Sequence, residues 1–162
     1  MEASMGGLTG LRPRNFTWVI KGKLAASERP GGSGRSHRRV RRDEELIWIS
    51  ESEITHVLSL LSASHNLKAY DEFGISHTNI EVPSLDELPE RRPTIYEFID
   101  RMRRTRGEVL LVHMDDFHDP LSGLLAGYLL HADLVEDEPT AVAVMEQIVK
   151  RPIGPVGRKL VG

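Results

Sequence analysis

The sequence predicts an α/β fold, a sandwich in which a mostly parallel central sheet is flanked by helices. Segments patterned like strands alternate with segments patterned like helices, as a parallel sheet requires. The run EVLLVHM at 108–114 is the most strand-like in the chain, and its continuous apolar stretch favours a central parallel strand. The 162 residues suffice for one domain around a single core.

Composition limits the classes of function. Hydrophobic residues make up 40% and charged residues 28% of the chain, as in ordinary globular proteins. The formal net charge of −3 gives no general reason to expect nucleic acid or an acidic membrane as a partner. No cysteine is present, which excludes disulfides, thiolate metal sites and a cysteine nucleophile.

Location and source are predicted from what the sequence lacks. No apolar run is long enough to cross a bilayer and no signal peptide is recognisable, so we expect a cytoplasmic protein without a membrane partner. Glutamine and asparagine are scarce, and this low content of thermolabile residues indicates a thermophilic source.

The N-terminal part predicts a leader and a hairpin. Residues 1–14 contain glycine and show no periodicity, so we expect a flexible leader before a single domain at 15–162. The segment NFTWVIKGKLAAS, 15–27, is aromatic and β-branched and is interrupted at Gly22, which predicts two short strands. A glycine-rich loop and an arginine-rich run follow.

The middle of the chain predicts a helix and two strands. Asp43 ends the arginine-rich run and is expected to cap a short helix. The segment ITHVLSLL, 54–61, predicts a buried strand. The segment HTNIEVP, 77–83, alternates apolar and polar residues as a further strand would.

The C-terminal half predicts helices on either side of the central strand. Thr94 and Glu97 have the spacing of a capping box, so a helix is expected from there to about Arg106. Another helix is expected at 122–130, and a last one from Pro139 onward, because proline is favoured in a first turn.

The stretch LLVHMDDFHDPLSGLLAGYL, 110–129, combines a strand, a short loop and a helix. Backbone amides gathered at such a turn bind phosphate in many proteins. This loop, however, carries Asp115, Asp116 and Asp119, whose negative charge a phosphate site avoids.

Several phrases, in their order, resemble the small dual-specificity and tyrosine phosphatases, in particular the compact atypical members of archaea and animals. RNFTWVIKGKLAAS resembles their opening strands, and IEVPSLDELPE stands where they have the general-acid loop. VLLVHM and GLLAGYLL flank the place of their Cys-x5-Arg loop, and AVAVMEQIVKRPIGPV resembles their closing helix. The resemblance extends from about residue 14 to residue 156 and implies the phosphatase fold.

The resemblance also implies that the catalytic loop has lost its reactive residues. In the family a cysteine thiolate attacks phosphorus and an arginine holds the phosphoryl oxygens. His113 matches the histidine before the nucleophile, but Met114 stands at the nucleophile, and a thioether cannot form a phosphoenzyme. Pro120 stands at the arginine, and Leu121 replaces the hydroxyl residue that helps the thiolate leave.

In the acid loop, Ser84 stands where the family has aspartate, with Asp86 nearby as the alternative. Around the phosphate position each aspartate would repel an anion by roughly 3 kcal/mol at about 5 Å. The sequence therefore predicts a pseudophosphatase without a cofactor, a binding or scaffold module for a protein partner that nothing in the sequence identifies.

Two alternatives stay open. His113, Asp115, His118 and Asp119 are residue types that bind Zn²⁺ or Mn²⁺, which would make the protein a metal-dependent hydrolase. A solvated acidic loop is the simpler interpretation, so no metal is predicted. The basic run RSHRRVRR at 35–42 suggests contact with nucleic acid, but it has no interleaved aromatic residues, so nucleic acid is not the expected partner.

Overall fold

The central sheet confirms the predicted α/β sandwich. A computed structural model describes residues 10–33, 37–62 and 67–162. The strands are β1 Thr17–Ile20, β2 Leu24–Glu28, β3 His56–Ser59, β4 His77–Asn79 and β5 Leu110–Met114. They lie in the order β1-β2-β5-β3-β4. The β1–β2 hairpin is antiparallel and all other pairs are parallel, so the sheet is mostly parallel with β5 at its centre.

Helices cover both faces of the sheet. They are α1 Arg39–Glu51, α2 Leu67–Glu72, α3 Leu88–Arg104, α4 Asp119–His131, α5 Glu138–Val149 and α6 Pro155–Arg158. One apolar cluster joins the sheet to α1 and α2, through residues such as Leu46 and Tyr70. The other, larger cluster joins the opposite face to α3, α4 and α5, through residues such as Ile99 and Leu125.

The central strand β5 is buried along its whole length, as its apolar sequence predicts. Its side chains alternate between the two clusters, because successive residues of a strand point to opposite faces. Leu110 and Val112 belong to the cluster under α3–α5, and Leu111 belongs to the cluster under α1 and α2. His113 shares the face of Leu111 and contacts Tyr70 of α2. The polar residue at the end of β5 therefore points into the protein.

The predicted start of α1 was wrong. The helix begins at Arg39, so Asp43 lies inside it and caps nothing, and its carboxylate instead accepts from Arg42 at 2.9 Å. A buried contact explains the earlier start, because Glu45 accepts from the amide of Gly31 at 2.9 Å and from Arg41 at 2.8 Å. The bond from Gly31 attaches the second turn of α1 to the preceding loop, a tertiary effect that no local pattern reveals.

The predicted start of α3 was also wrong. Thr94 and Glu97 lie within the helix, which starts at Leu88 and includes Pro93. Leu88 is fully buried, so its packing in the core stabilises a helix that starts earlier in the chain than predicted. By contrast, α5 starts at Glu138, one residue before the expected Pro139, with Asp137 accepting from the amide of Thr140.

The expected leader, 1–14, is described only from Gly10 onward. That described part lies against the domain: the amide of Leu11 donates to Glu44 at 3.0 Å, and Pro13 is buried. Among the described residues, no helix has the length and apolar character needed to cross a membrane.

Candidate functional site

The loop between β5 and α4 borders a pocket formed by residues of three segments. The pocket has a volume of about 440 Å³. Its walls come from the ends of three neighbouring parallel strands, namely residues 60–62 after β3, residues 82–85 after β4, and the segment that starts at Met114. Ligands of open α/β sheets bind at this carboxyl edge of the strands.

The pocket is apolar in its depth and acidic at its rim. Met114 and Leu121 line it and are buried. Asp115 and Asp116 also line it, with side chains 51% and 49% exposed. No lysine or arginine is among the described lining residues, so the local charge is negative.

The acid-loop residues occupy different positions. Ser84 lines the pocket on the side opposite the β5–α4 loop. Asp86 lies in the short 3-10 turn Leu85–Glu87, is exposed, and does not line the pocket. The nearby aspartate therefore does not supply the proton donor that Ser84 lacks.

His113 fixes the end of β5 from the buried side. Its Nδ1 lies 3.0 Å from the carbonyl oxygen of Met114, and because a carbonyl only accepts, Nδ1 carries the proton. Its Nε2 is then an acceptor, 2.8 Å from the hydroxyl of Ser59 and 3.0 Å from that of Tyr70. Burial lowers the pKa of His113 to about 4, so the ring is neutral at pH 7. His113 thus positions the loop and does not face the pocket.

Two arginines hold the loop from outside the pocket. The Arg29 guanidinium lies 3.6 Å from the Asp115 carboxylate, and the Arg29 amide donates to the Asp115 carbonyl at 3.4 Å. Burial lowers the pKa of Arg29, although Asp115 opposes this shift. Arg151 donates to the carbonyl of Phe117 and lies 5.4 Å from the centre of its ring.

No local pattern in the sequence marks these supporting residues. Ser59 and Tyr70 lie on β3 and α2, and Arg29 follows β2, all far from the loop in sequence. Arg29 reaches Asp115 because β2 pairs with β5 in a register that places Glu28 opposite Met114. The contact between Arg29 and Asp115 follows from the strand order, which the sequence does not specify.

The four metal-ligand candidates do not converge. Both ring nitrogens of His113 have partners inside the protein. The Asp119 carboxylate faces Gly154, and His118 lies 3.7 Å from Asp116. Within the described part of the chain, no three histidine, aspartate or glutamate side chains are close enough together to hold a metal ion.

The basic run at 35–42 is described from His37 onward, so Arg35 lies outside the described residues. Arg41 pairs with Glu45 at 2.8 Å and with Glu28 at 3.6 Å, and Arg42 pairs with Asp43. These two guanidinium groups therefore have carboxylates of the same chain as partners, which reduces the charge available to a nucleic acid.

The Arg29–Asp115 pair predicts an asymmetric response to substitution. Asp115→Asn leaves the buried Arg29 cation unpaired, and we expect the free energy of unfolding to fall by about 2 kcal/mol. Arg29→Met leaves Asp115 exposed to water and removes an Nε that is buried without a partner, so we expect a loss of at most about 1 kcal/mol. Urea unfolding measures both. A larger loss for Arg29→Met would contradict this account of the loop.

Solved structures share this architecture. The kinase associated phosphatase, with its catalytic-site cysteine replaced by serine, superposes with a TM-score of 0.66 at 13% identity, covering 92% of each chain. The PTP-2 phosphatase of Cydia pomonella gives 0.65 at 11% identity, covering 90% of this chain and 87% of its own. Tk-PTP in its active form gives 0.61 at 14%, covering 91% and 92%.

The fold is therefore that of the tyrosine and dual-specificity phosphatases. No protein-family model matches the sequence, and a search of curated proteins finds no relative. At such low identity the likeness concerns the fold and not the chemistry. The chain has no cysteine, which agrees with a degenerate version of this fold.

Proposed function

We propose that the protein is a pseudophosphatase, a catalytically silent binding module that uses the pocket of the phosphatase fold. One observation carries the proposal: Met114 ends the central strand at the pocket, in a chain that has no thiol. A thioether has no ionisable proton and cannot become the nucleophile of a phosphoenzyme.

The remaining parts of a phosphate site are also lacking. Pro120 lies in the first turn of α4, where free backbone amides would donate to a bound anion. It has neither an amide proton nor a positive charge to contribute. Asp115 and Asp116 add like charge at the rim. An unpaired carboxylate about 5 Å away would repel an anion by roughly 3 kcal/mol at an effective dielectric near 20, and the repulsion from Asp115 is smaller because Arg29 offsets its charge.

The supporting contacts favour retained binding. His113, Arg29 and Arg151 each hold the backbone of the loop or a side chain at its start, and none of them lines the pocket. A loop held in this way presents a pre-formed surface, which lowers the entropy cost of binding. We propose a protein partner in the cytoplasm, and the thermophilic source stays a prediction from composition.

The test is turnover of an aryl phosphate by purified, metal-free protein. We expect no rate above that of a heat-inactivated sample, because neither nucleophile nor clamp is present. The same assay repeated with added Zn²⁺, Mn²⁺ or Mg²⁺ examines the alternative of a metal-dependent hydrolase. Metal-free turnover would refute the proposal, and turnover that appears only with metal would favour the alternative.

Met114→Cys provides a sharper control, because it introduces the sole thiol of the chain. We expect the pKa of this thiol to stay at or above the ordinary value of about 8.5, because Asp115 and Asp116 line the pocket, no arginine lines it, and the nearby Arg29 is already paired with Asp115. The pH dependence of alkylation by iodoacetamide measures it, with the exposed Ser76→Cys as reference. A thiolate formed below neutral pH would show that the loop still stabilises an anion.

A further inference from the structure

We infer that the pocket binds a basic-apolar segment of a protein partner, in which lysine or arginine stands beside a large aliphatic residue. The inference rests on the proposed function and names the ligand chemistry of the same site. It follows from two independent features of the pocket, its apolar walls and the half-exposed carboxylate of Asp116 at its rim.

The apolar walls define the first half of the ligand. Leucine, valine, proline and methionine side chains from all three wall segments line the pocket. Leu85 lines it while 52% exposed, although a residue of this kind is normally buried. The volume of about 440 Å³ lies within the range of roughly 300–1,000 Å³ that is typical of ligand sites. An aliphatic side chain that enters would remove apolar surface from water on both partners.

The rim charge defines the second half. Asp115 already has a partner in Arg29, at 3.6 Å on the side away from the pocket. Asp116 has a weaker one, since His118 lies 3.7 Å away and is itself largely exposed. Asp116 is therefore the carboxylate that is best placed to receive a cation from outside.

A cation and an aliphatic group on adjacent residues match this arrangement. A phosphorylated segment would bring like charge to the rim, and a purely apolar one would reduce the contact of Asp116 with water without giving it a cation. Charge complementarity of this kind mainly sets which partner binds and how fast. Binding should therefore weaken as salt is added.

Titration of the full chain with short blocked peptides, followed by NMR of ¹⁵N-labelled amides, tests the inference. The probe is acetyl-Gly-Leu-Arg-Gly-amide in phosphate-free buffer. Its references are the same peptide with Glu for Arg and the same peptide with Gly for Leu. We expect saturable shifts at residues 84–85 and 115–121 with the Leu-Arg peptide, and at least about fivefold weaker binding of each reference.

Matched variants assign the effect to the rim. Asp116→Asn should weaken the Leu-Arg peptide about threefold to fivefold, the value of one half-exposed ion contact. Asp86→Asn makes the same charge change in the neighbouring exposed turn, outside the pocket, and should leave binding within about twofold. Unchanged proton spectra would show that both variants fold.

The outcomes separate this inference from the proposed function. Equal binding of the Glu peptide, equal effects of the two variants, or no saturable shift with any peptide would overturn the ligand class and leave catalytic silence intact. Turnover of an aryl phosphate would overturn the proposed function itself. Inorganic phosphate that shifts the amides of 115–121 and competes with the peptide would overturn both.

Discussion

Replacing Gly123 by alanine is expected to lower the free energy of unfolding by about 2–3 kcal/mol. Gly123 lies in α4 with its Cα against the backbone of Gly157 in α6, and a Cβ there would overlap the carbonyl group of Gly157. The overlap involves backbone on both sides, so no side-chain rotation relieves it. Alanine would regain about 1 kcal/mol of helix propensity, which the steric cost exceeds.

The measurement is thermal or urea unfolding of the Gly123→Ala protein. For a chain of this size each kcal/mol shifts the Tm by roughly 2–4 °C, so the expected decrease is easily resolved. Since α4 starts at the pocket, the variant should also shift amide signals of Pro120's neighbours in the loop.

Two further glycine variants separate crowding from backbone conformation. Gly107→Ala has nothing within 4 Å of its new Cβ but a φ of +86°, so it should cost about 1 kcal/mol from conformation alone. Gly157→Ala meets the Asp119 carbonyl on the other side of the same helix contact and should be as damaging as Gly123→Ala. A stabilised Gly123→Ala protein would show that α4 and α6 do not pack this closely.

The central strand and the β1–β2 hairpin were predictable because local signals mark them. β5 is covered on both faces and is therefore apolar throughout, and the β1–β2 hairpin is marked by Gly22, which adopts a φ of +76°. These signals are local, since burial on both faces or a positive φ restricts the residue types directly at those positions.

The starts of α1 and α3 were not predictable for the opposite reason. The start of α1 depends on Glu45, which bonds to Gly31 across a loop, and the start of α3 depends on the burial of Leu88. Tertiary contacts of this kind override capping patterns, which contribute only about 1 kcal/mol each. Asp43 and Thr94 were plausible caps that the packing did not use.

The position of the candidate site was predictable from the sequence, but the residues that hold its loop in place were not. The loop after β5 follows directly from the sequence, and the structure places Met114 and Ser84 at one pocket. Arg29 and Tyr70 reach the loop only through the strand order and through α2, a helix that the sequence analysis did not predict. The contribution of these residues depends on distance in space, for which one sequence holds no signal.

His113 should make stability depend on pH in a defined window. The folded protein holds the pKa of His113 at about 4 through burial, whereas the pKa of an unfolded histidine is about 6.5. As the pH falls below about 6.5, His113 becomes protonated in the unfolded chain but stays neutral in the folded one. The free energy of unfolding therefore falls until about pH 4, where the folded protein also binds the proton and the decrease levels off. The full loss is about 3 kcal/mol, and it is absent at pH 7.

Comparison with His113→Asn isolates this contribution from other groups that titrate in acid, such as His56 and Asp100, whose pKa values are also lowered. Asparagine retains a donor for the Met114 carbonyl but has no proton to gain, so its unfolding free energy should fall less steeply between pH 6.5 and pH 4. Should that variant fail to fold, the ring signals of His113 in the unaltered protein give the answer directly. A ring that stays neutral down to about pH 4 identifies His113 as a fixed acceptor for Ser59 and Tyr70, whereas titration near 6.5 would mean that the end of β5 opens to water.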